Sequence, residues 1–196
     1  MAAMLTLDDI ADLRAYERER DAFRSHVIEL KKRRRVGLGP IATLLFENRD
    51  TVRFQIQEMA RVERIITDEA IQHELDTYNP LVPGPGQLAA TLFLELVSEA
   101  ELRHWLPRLV GIETALELRP SHGDPVPCLV DEGHAATLTR DEVTASVHYV
   151  HWQLRPEQVE AFAAGPVVLA SVHPAYPHEV TLPEATHREL LVDLRG

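Results

Sequence analysis

The stretch TLLFENRDTVRFQIQEMARVERI, residues 43–65, changes from one hydrophobic pattern to another within a few residues. Residues 41–47 are almost all apolar, which predicts a buried strand. Apolar side chains then recur at helical spacing among charged ones, which predicts a helix from Asn48 to about Ile66. We therefore expect a strand in the core that leads directly into an amphipathic helix.

The predicted helix has two unlike faces when its residues are placed about 100° apart. The apolar face consists of Val52, Ile56, Met59, Val62 and Ile66. The opposite, polar row consists of Arg49, Arg53, Gln57, Arg61 and Arg64. Gln55 and Glu63 fall inside the apolar arc, and Glu58 lies at its margin.

Gln55 and Glu63 are therefore predicted to point inward. A carboxyl group buried without a partner costs several kcal/mol, so Glu63 has to pair, take up a proton or reach solvent. One interpretation is structural, an internal salt bridge or hydrogen bond that fixes how the helix sits. The other is functional, a ligand-binding or acid–base group in a cleft between helix and sheet.

The polar row also permits two interpretations. Such a row is usually a solvated face, and Asp50 and Glu58 neutralise part of its charge. The alternative is an anion-binding or partner-docking role. The ligand-binding or partner-binding candidates on this helix are Arg49, Arg53, Gln55, Gln57, Glu58, Arg61 and Glu63.

The remaining chain predicts a mixture of helices and strands. The first helix is capped by Thr6, closes on the basic run at residues 31–35 and is stopped by GLGP at residues 37–40. Further helices are predicted at residues 68–78, at 98–110 with a capping box of Ser98 and Glu101, at 156–165 and at 183–194. Strands are predicted at residues 90–97, 114–119, 143–154, 166–173 and 178–182. The fold class is therefore α+β, with long N-terminal helices packed on a mainly antiparallel sheet and short helices in the C-terminal half.

The chain length of 196 residues predicts one compact domain, residues 1–196. A subdivision is also open, because residues 79–86 form a connection rich in proline and glycine. In that case residues 1–78 form a helical layer with one strand, and residues 87–196 form a strand-rich α+β part.

Composition and charge exclude several functional classes. The net charge is −11; residues 1–80 hold 13 basic and 15 acidic side chains, whereas residues 81–196 hold 7 and 16. This balance argues against nucleic-acid binding, and no apolar run approaches the roughly 20 residues that a membrane span needs. The N-terminal sequence lacks the pattern of a secretory signal, so we expect a cytoplasmic location. The single cysteine, Cys128, is expected to be packed rather than activated.

Histidine is the other unusual feature, since eight of the ten histidines lie beyond residue 100. Glu-x-x-His pairs resemble the ligands of ferritin-like di-iron sites, but strands separate the candidate helices here, so the four-helix arrangement fails. His148 and His151 are three apart on a predicted strand, so they should point to opposite faces. The weak metal candidates are Glu101, His104, His148, His151 and His173. No cofactor motif is evident.

Three segments resemble an uncharacterised bacterial family, domain-of-unknown-function family 3501. They include LLFENRDTVRFQIQEM at residues 44–59, ELDTYNPLVPGPGQLAATLFLEL at residues 74–96 and PAYPHEVTLPEATHRELLVDL at residues 174–194. The resemblance implies a genomic context rather than a reaction. Genes of the family often lie beside those for rubrerythrin-like di-iron proteins and a cysteine-rich iron–sulfur oxidoreductase. It implies no catalytic residues.

Two functional hypotheses follow. The first is a cytoplasmic, non-catalytic accessory or binding protein in a peroxide-defence or electron-transfer system, with iron–sulfur and di-iron partners. The second is a small metal-dependent enzyme that uses glutamate and histidine residues in a cleft between helix and sheet. A transcription factor is disfavoured by the charge and by the lack of a helix-turn-helix pattern. The apolar stripe of the first helix suits a homodimer or packing on the protein's own sheet.

Overall fold

The computed structural model describes residues 4–130 and 143–196. The helices are α1 (Leu13–Arg34), α2 (Arg49–Glu63), α3 (Asp68–Tyr78), α4 (Glu99–Trp105), α5 (Pro156–Ala164) and α6 (Glu184–Arg195). The strands are β1 (Arg35–Leu38), β2 (Ala42–Glu47), β3 (Gln87–Leu94), β4 (Leu116–Pro120), β5 (Val126–Pro127), β6 (Val147–Gln153), β7 (Val167–Ser171) and β8 (His178–Thr181). The predicted α+β class is confirmed.

The described strands form two antiparallel sheets rather than the single sheet expected. The first has the strand order β1-β2-β3-β6, and the second has the order β5-β4-β7-β8. Alternate side chains of the first sheet, such as Leu44 and Phe46, share one buried cluster with Leu118 and Leu169 of the second. The main core therefore lies between the two sheets, and it includes residues from both sides of the connection at residues 79–86.

Strand β2 is buried along its whole length, which explains its unbroken apolar sequence. Because side chains alternate along a strand, its other three residues, Thr43, Leu45 and Glu47, point away from the core between the sheets. Helices α1 and α2 lie on this outer side. A small second core there joins Val52 and Ile56 of α2 to Leu75 of α3.

The N-terminal helix begins later than predicted. Thr6 caps only a short 3-10 turn at Leu7–Asp9, and α1 starts at Leu13. The side chain of Asp12 accepts a hydrogen bond from the Ala15 amide, so it supplies a new helix cap that the apolar periodicity did not reveal. Helix α1 also ends one residue before the predicted end, since Arg35 already belongs to strand β1.

The turn between β1 and β2 is held by a tyrosine from the far end of the chain. The Tyr176 hydroxyl donates to the Leu38 carbonyl at 2.7 Å and accepts from the amides of Ile41 and Ala42 at 3.0 and 3.1 Å. Gly39 has a φ of +67°, and a Cβ atom there would lie 2.7 Å from that hydroxyl. The glycine is therefore required both by its backbone conformation and by the close approach of Tyr176.

Helix α2 starts as predicted and ends three residues early. The Asn48 side chain caps it by accepting from the Thr51 amide at 3.0 Å. Arg64 has left-handed backbone angles and ends the helix, so Ile66 lies beyond it. Among the helices in residues 4–130 and 143–196, none combines the length and apolar character needed to cross a membrane.

Candidate functional site

Gln55 and Glu63 do not point inward, which corrects the prediction made from the helical wheel. Both side chains are exposed, as are Val62 and Ile66 at 70% and 81%. Gln57, which was assigned to the polar row, is instead buried, with 0% of its surface exposed. Its amide accepts from the Ala11 backbone N–H at 2.7 Å and donates to the Ala11 carbonyl at 3.2 Å.

The helical wheel gave the wrong orientation for α2 because the polar row contacts α1 and the segment before it. Arg49 pairs with Asp9, Arg53 pairs with Glu19 of α1, and Arg61 pairs with Glu17 of α1. Arg53 also lies over the ring of Phe23, at 4.7 Å from its centroid. These three arginines are therefore half-exposed and ion-paired with carboxylates of the same chain. Charge complementarity, rather than apolar content, selects the side of α2 that meets α1.

Glu58 is a structural contact within this interface. Its carboxylate accepts two hydrogen bonds from Arg20 at 2.8 and 3.0 Å, and one from the Tyr16 hydroxyl at 2.7 Å. The Arg20 hydrogen bond is the main reason that the pKa of Glu58 lies below its ordinary value. Burial, followed by the hydrogen bond to Glu58, raises the pKa of the Tyr16 hydroxyl.

The weak metal candidates are not brought together. Within residues 4–130 and 143–196, no group of three or more histidine, cysteine, aspartate or glutamate side chains has the arrangement of a metal site. Glu101 caps α4 with Ser98, and the exposed His104 lies one turn further along. His173 is buried beside the Val110 carbonyl, with its Nε2 atom 3.1 Å from that oxygen.

His148 and His151 lie on opposite faces of β6, as their spacing predicts. His148 pairs with Leu92 and is buried on the core side, where its Nε2 atom is 2.9 Å from the Ala145 carbonyl. Burial lowers its pKa, an effect that the nearby Glu113 partly offsets. His151 pairs with Ala89 on the outer face.

Cys128 is buried, as the sequence predicts. Its thiol donates to the Glu113 carbonyl at 3.0 Å. Burial raises the pKa of the Cys128 thiol to about 11, which leaves little of the nucleophilic thiolate at neutral pH.

The outer face of the first sheet carries a cleft that combines polar and aromatic groups. We call it the Glu47 cleft. It has a volume of about 240 Å³ and lies between strands β2, β3 and β6 and the ends of α1, α2 and α3. It is lined by Lys31, Leu45, Glu47, Thr51, Val52, Gln55, Tyr78, Leu81, Thr91, Phe93, Val147 and Tyr149.

Glu47 is the buried charged group of this cleft, with 8% of its surface exposed. It stands at the end of β2, immediately before the cap of α2, so strand and helix geometry together fix its position. The hydroxyl groups of Thr51 and Thr91 each donate to one carboxyl oxygen, the latter at 2.7 Å. Among the described residues, no lysine, arginine or histidine forms an ion pair with this carboxyl group.

Two tyrosines extend the polar lining. Tyr149 occupies the position opposite Thr91 in the neighbouring strand, which places it on the same face of the sheet. Burial is the main reason that the pKa of Tyr149 is raised, and the charges of Tyr78 and Glu47 contribute in the same direction. Tyr149 and Tyr78 therefore both lie near the carboxyl end of the cleft.

The rim carries the remaining polar groups. Lys31 projects from α1 with its Nζ atom 5.6 Å from the centroid of the Phe54 ring. Gln55 comes from α2, so one of the two residues singled out in the sequence does line the cleft, although from its exposed edge. Glu63 and the described histidines are not part of the lining.

A second pocket of about 280 Å³ lies between the start of α1 and the turn from α2 to α3. Its charged residues, Asp12, Arg14 and Asp68, are all exposed, and most of the remaining lining is aliphatic. Because it holds no buried charged side chain, it lacks the fixed polar anchor that makes the Glu47 cleft the better candidate.

Glu47, Thr91 and Tyr149 are not among the site residues predicted from the sequence. A usable signal was present, because period-two spacing along the apolar run places Thr43, Leu45 and Glu47 on one side, with a carboxyl group among otherwise apolar neighbours. The same spacing groups Tyr149 with His151 rather than with His148. The sequence does not show how the strands pair, and this pairing is what places Glu47, Thr91 and Tyr149 on the same face of the sheet.

Comparison with known proteins places the chain in a family. The model of a family described as a protein of unknown function, DUF3501, matches residues 4–194. The structure is similar to the crystal structure, at 1.90 Å resolution, of a novel protein of unknown function from Burkholderia pseudomallei. The two chains are 38% identical with a TM-score of 0.89, and the alignment covers 98% of this chain and 100% of that one. None of the curated proteins matches this chain. Since the family match spans nearly the whole sequence, this protein belongs to the DUF3501 family.

Proposed function

We propose that the protein is a cytoplasmic, non-catalytic binding protein whose ligand site is the Glu47 cleft. The observation that supports this role is the setting of Glu47, a buried carboxyl group that the described residues supply with hydroxyl donors but with no cationic partner. A charged group is costly to bury in this way for stability alone. A ligand that brings hydrogen-bond donors to the carboxyl oxygens would offset that cost.

The shape of the site supports ligand binding rather than simple packing. Aromatic and aliphatic walls surround a small number of fixed polar groups, which is the usual composition of small-molecule sites. Thr51, Thr91 and Glu47 are held on regular elements, so the floor of the cleft is preorganised. The exposed Gln55 stands where a ligand would enter.

A pair of tryptophan variants on α2 tests the binding site. Gln55→Trp should fill the entrance, whereas Glu63→Trp puts the same side chain on the same helix outside the cleft. We expect compounds from a fragment library of neutral, cationic and anionic molecules to bind the wild-type protein and Glu63→Trp in ligand-observed NMR, and to lose binding to Gln55→Trp. Hits that bind all three proteins equally, or a complete lack of hits, would refute the assignment.

We further propose that the protein acts as an accessory component of a peroxide-defence or electron-transfer system, with an iron–sulfur oxidoreductase and a rubrerythrin-like protein as partners. This part is supported by the gene neighbourhood that the family resemblance implies. Co-expression with these neighbouring gene products, followed by affinity purification and metal analysis, tests it. Co-purification with a metal-free DUF3501 protein supports the accessory role. Stoichiometric iron, zinc or manganese in the purified protein alone would favour the metal-dependent enzyme instead.

A further inference from the structure

The Glu47 cleft contains two opposite charges that the described residues leave without an ionic partner. Glu47 accepts hydrogen bonds from two threonine hydroxyls, and Lys31 has an aromatic contact with Phe54 but no carboxylate partner. The next lysine, Lys32, does pair, with Glu29 at 2.6 Å. Lys31 therefore differs from its neighbour, because it lines the cleft and forms no ion pair with a described residue.

The two charges lie at different depths. Glu47 is 8% exposed at the floor, and Lys31 is half-buried at the end of α1, more than 4 Å away because the pair forms no salt bridge. A ligand with only a positive charge would pair with Glu47 but be repelled by Lys31. A ligand with only a negative charge would pair with Lys31 but be repelled by Glu47. A molecule that carries both charges satisfies both groups.

The walls between the two charges are apolar. Leu45, Phe93 and Val147 lie on the strands, Val52 lies on α2, and Leu81 follows the end of α3. The volume of about 240 Å³ falls below the roughly 300–1,000 Å³ of sites for drug-sized ligands. The space therefore suits a molecule of the size of one amino acid with an apolar body.

Resting on the binding role proposed above, we infer that the ligand is a small zwitterion of the amino-acid class. Its ammonium group binds at Glu47, where the carboxylate supplies charge-assisted hydrogen bonds, and its carboxylate faces Lys31. The apolar side chain packs against Leu45, Leu81 and Phe93. The aromatic rings of Tyr149 and Tyr78 also line the cleft and would add cation–π attraction to an ammonium group.

Two matched sets of probes test the ligand class by isothermal titration calorimetry. One set is L-phenylalanine, phenethylamine and 3-phenylpropionate; the other is L-leucine, isoamylamine and 4-methylpentanoate. In each set the members share an apolar body and differ in charge. We expect at least one zwitterion to bind about tenfold or more tightly than both of its singly charged analogues, the difference that one lost ionic contact would produce.

Two variants assign each charge. Lys31→Met should abolish the preference for the amino acid over its amine analogue, and Glu47→Gln should abolish the preference over the acid analogue. Lys32→Met and Glu63→Gln, which remove exposed charges of the same type, should leave both preferences unchanged. Circular dichroism and thermal melting show that each variant is folded. If Glu47→Gln does not fold, the order of probe affinities for the wild-type protein and the effect of Lys31→Met are sufficient to test the zwitterion assignment.

The outcomes separate this inference from the proposed function. Failure of both zwitterions to bind, or a preference that survives in the folded variants, overturns the zwitterion assignment. If singly charged or neutral compounds then still bind and their binding is lost in Gln55→Trp, the binding site stands and only the ligand class is wrong. If no compound binds the cleft at all, both the site and the ligand class are rejected.

Discussion

Arg34 and Asp193, separated by 159 positions in the sequence, form a buried ion pair that joins α1 to α6. The Arg34 Nη1 atom lies 2.6 Å from Oδ2 of Asp193, and Nη2 lies 3.0 Å from Oδ1. Arg34 is 2% exposed. Burial raises the pKa of Asp193, and the hydrogen bond from Arg34 opposes that rise. Arg34, the fourth residue of the basic run at residues 31–35, is thus part of the protein interior.

Replacing Arg34 by methionine should destabilise the protein by about 3–5 kcal/mol, because it leaves the Asp193 carboxylate buried without its partner. Arg33→Met is the matched control. Arg33 is the preceding residue, is 45% exposed and pairs with Glu189, so its loss should cost less than about 1 kcal/mol. Urea unfolding followed by circular dichroism measures both values. Equal losses of unfolding free energy in the two variants would show that the buried Arg34–Asp193 pair stabilises the fold no more than the exposed Arg33–Glu189 pair.

Glu58→Gln should destabilise the protein in a pH-dependent way. The pKa of Glu58 is lowered from its ordinary value of 4.5, mainly by Arg20, so the ion pair stabilises the fold above that value and the stabilisation is lost as the pH falls through the lower folded pKa. At pH 7 we expect a loss of about 1–3 kcal/mol. As the pH falls below 4.5, the difference in unfolding free energy between Glu58→Gln and the wild type should shrink.

Glu63→Gln is the control for this experiment, since Glu63 is an exposed glutamate of the same helix. Its stability should match the wild type within about 0.5 kcal/mol. Chemical unfolding at a series of pH values gives both curves. A Glu58→Gln difference that grows on acidification would contradict the assigned role of the Arg20 pair.

Gln57→Ala should cost about 1–3 kcal/mol, because it leaves the backbone N–H and carbonyl of Ala11 without their side-chain partner at a half-buried site. Gln55→Ala removes an exposed glutamine two residues earlier and should change stability by less than about 0.5 kcal/mol. Thermal melting compares the two. The opposite ranking would restore the orientation of α2 that the helical wheel predicted.

Gly39→Ala should destabilise the turn between β1 and β2 by more than about 1 kcal/mol, the cost of placing a side chain in the left-handed region. The added Cβ would also lie 2.6 Å from Cγ of His178. Gly37→Ala is the control, because a Cβ there meets nothing within 4 Å. Melting temperatures of both variants test the prediction. A neutral Gly39→Ala would mean that Tyr176 and His178 move without cost.

Local sequence signals predicted the type and order of most elements. Capping residues carry this information well, since Asn48 and Ser98 both lie at the helix starts that the sequence predicts. The strand before α2 was also evident, because burial of both faces of β2 demands a continuous apolar run. Short-range periodicity fails where a second cap intervenes, as at Asp12, or where a strand is only two residues long, as with β5.

The Glu47 cleft shows what the sequence determined and what it left open. Alternation along β2, β3 and β6 determines which residues share a face of each strand, and the family motif fixes Glu47 directly before the cap of α2. Only the tertiary structure decides that Glu47, Thr91, Tyr149 and Lys31 line one cleft, because strand pairing and helix docking depend on contacts between distant segments. The same reason explains the error on α2. Hydrophobicity gives the amphipathic pattern of a helix, but half-exposed arginines can form a contact between two helices when the opposing helix supplies carboxylates.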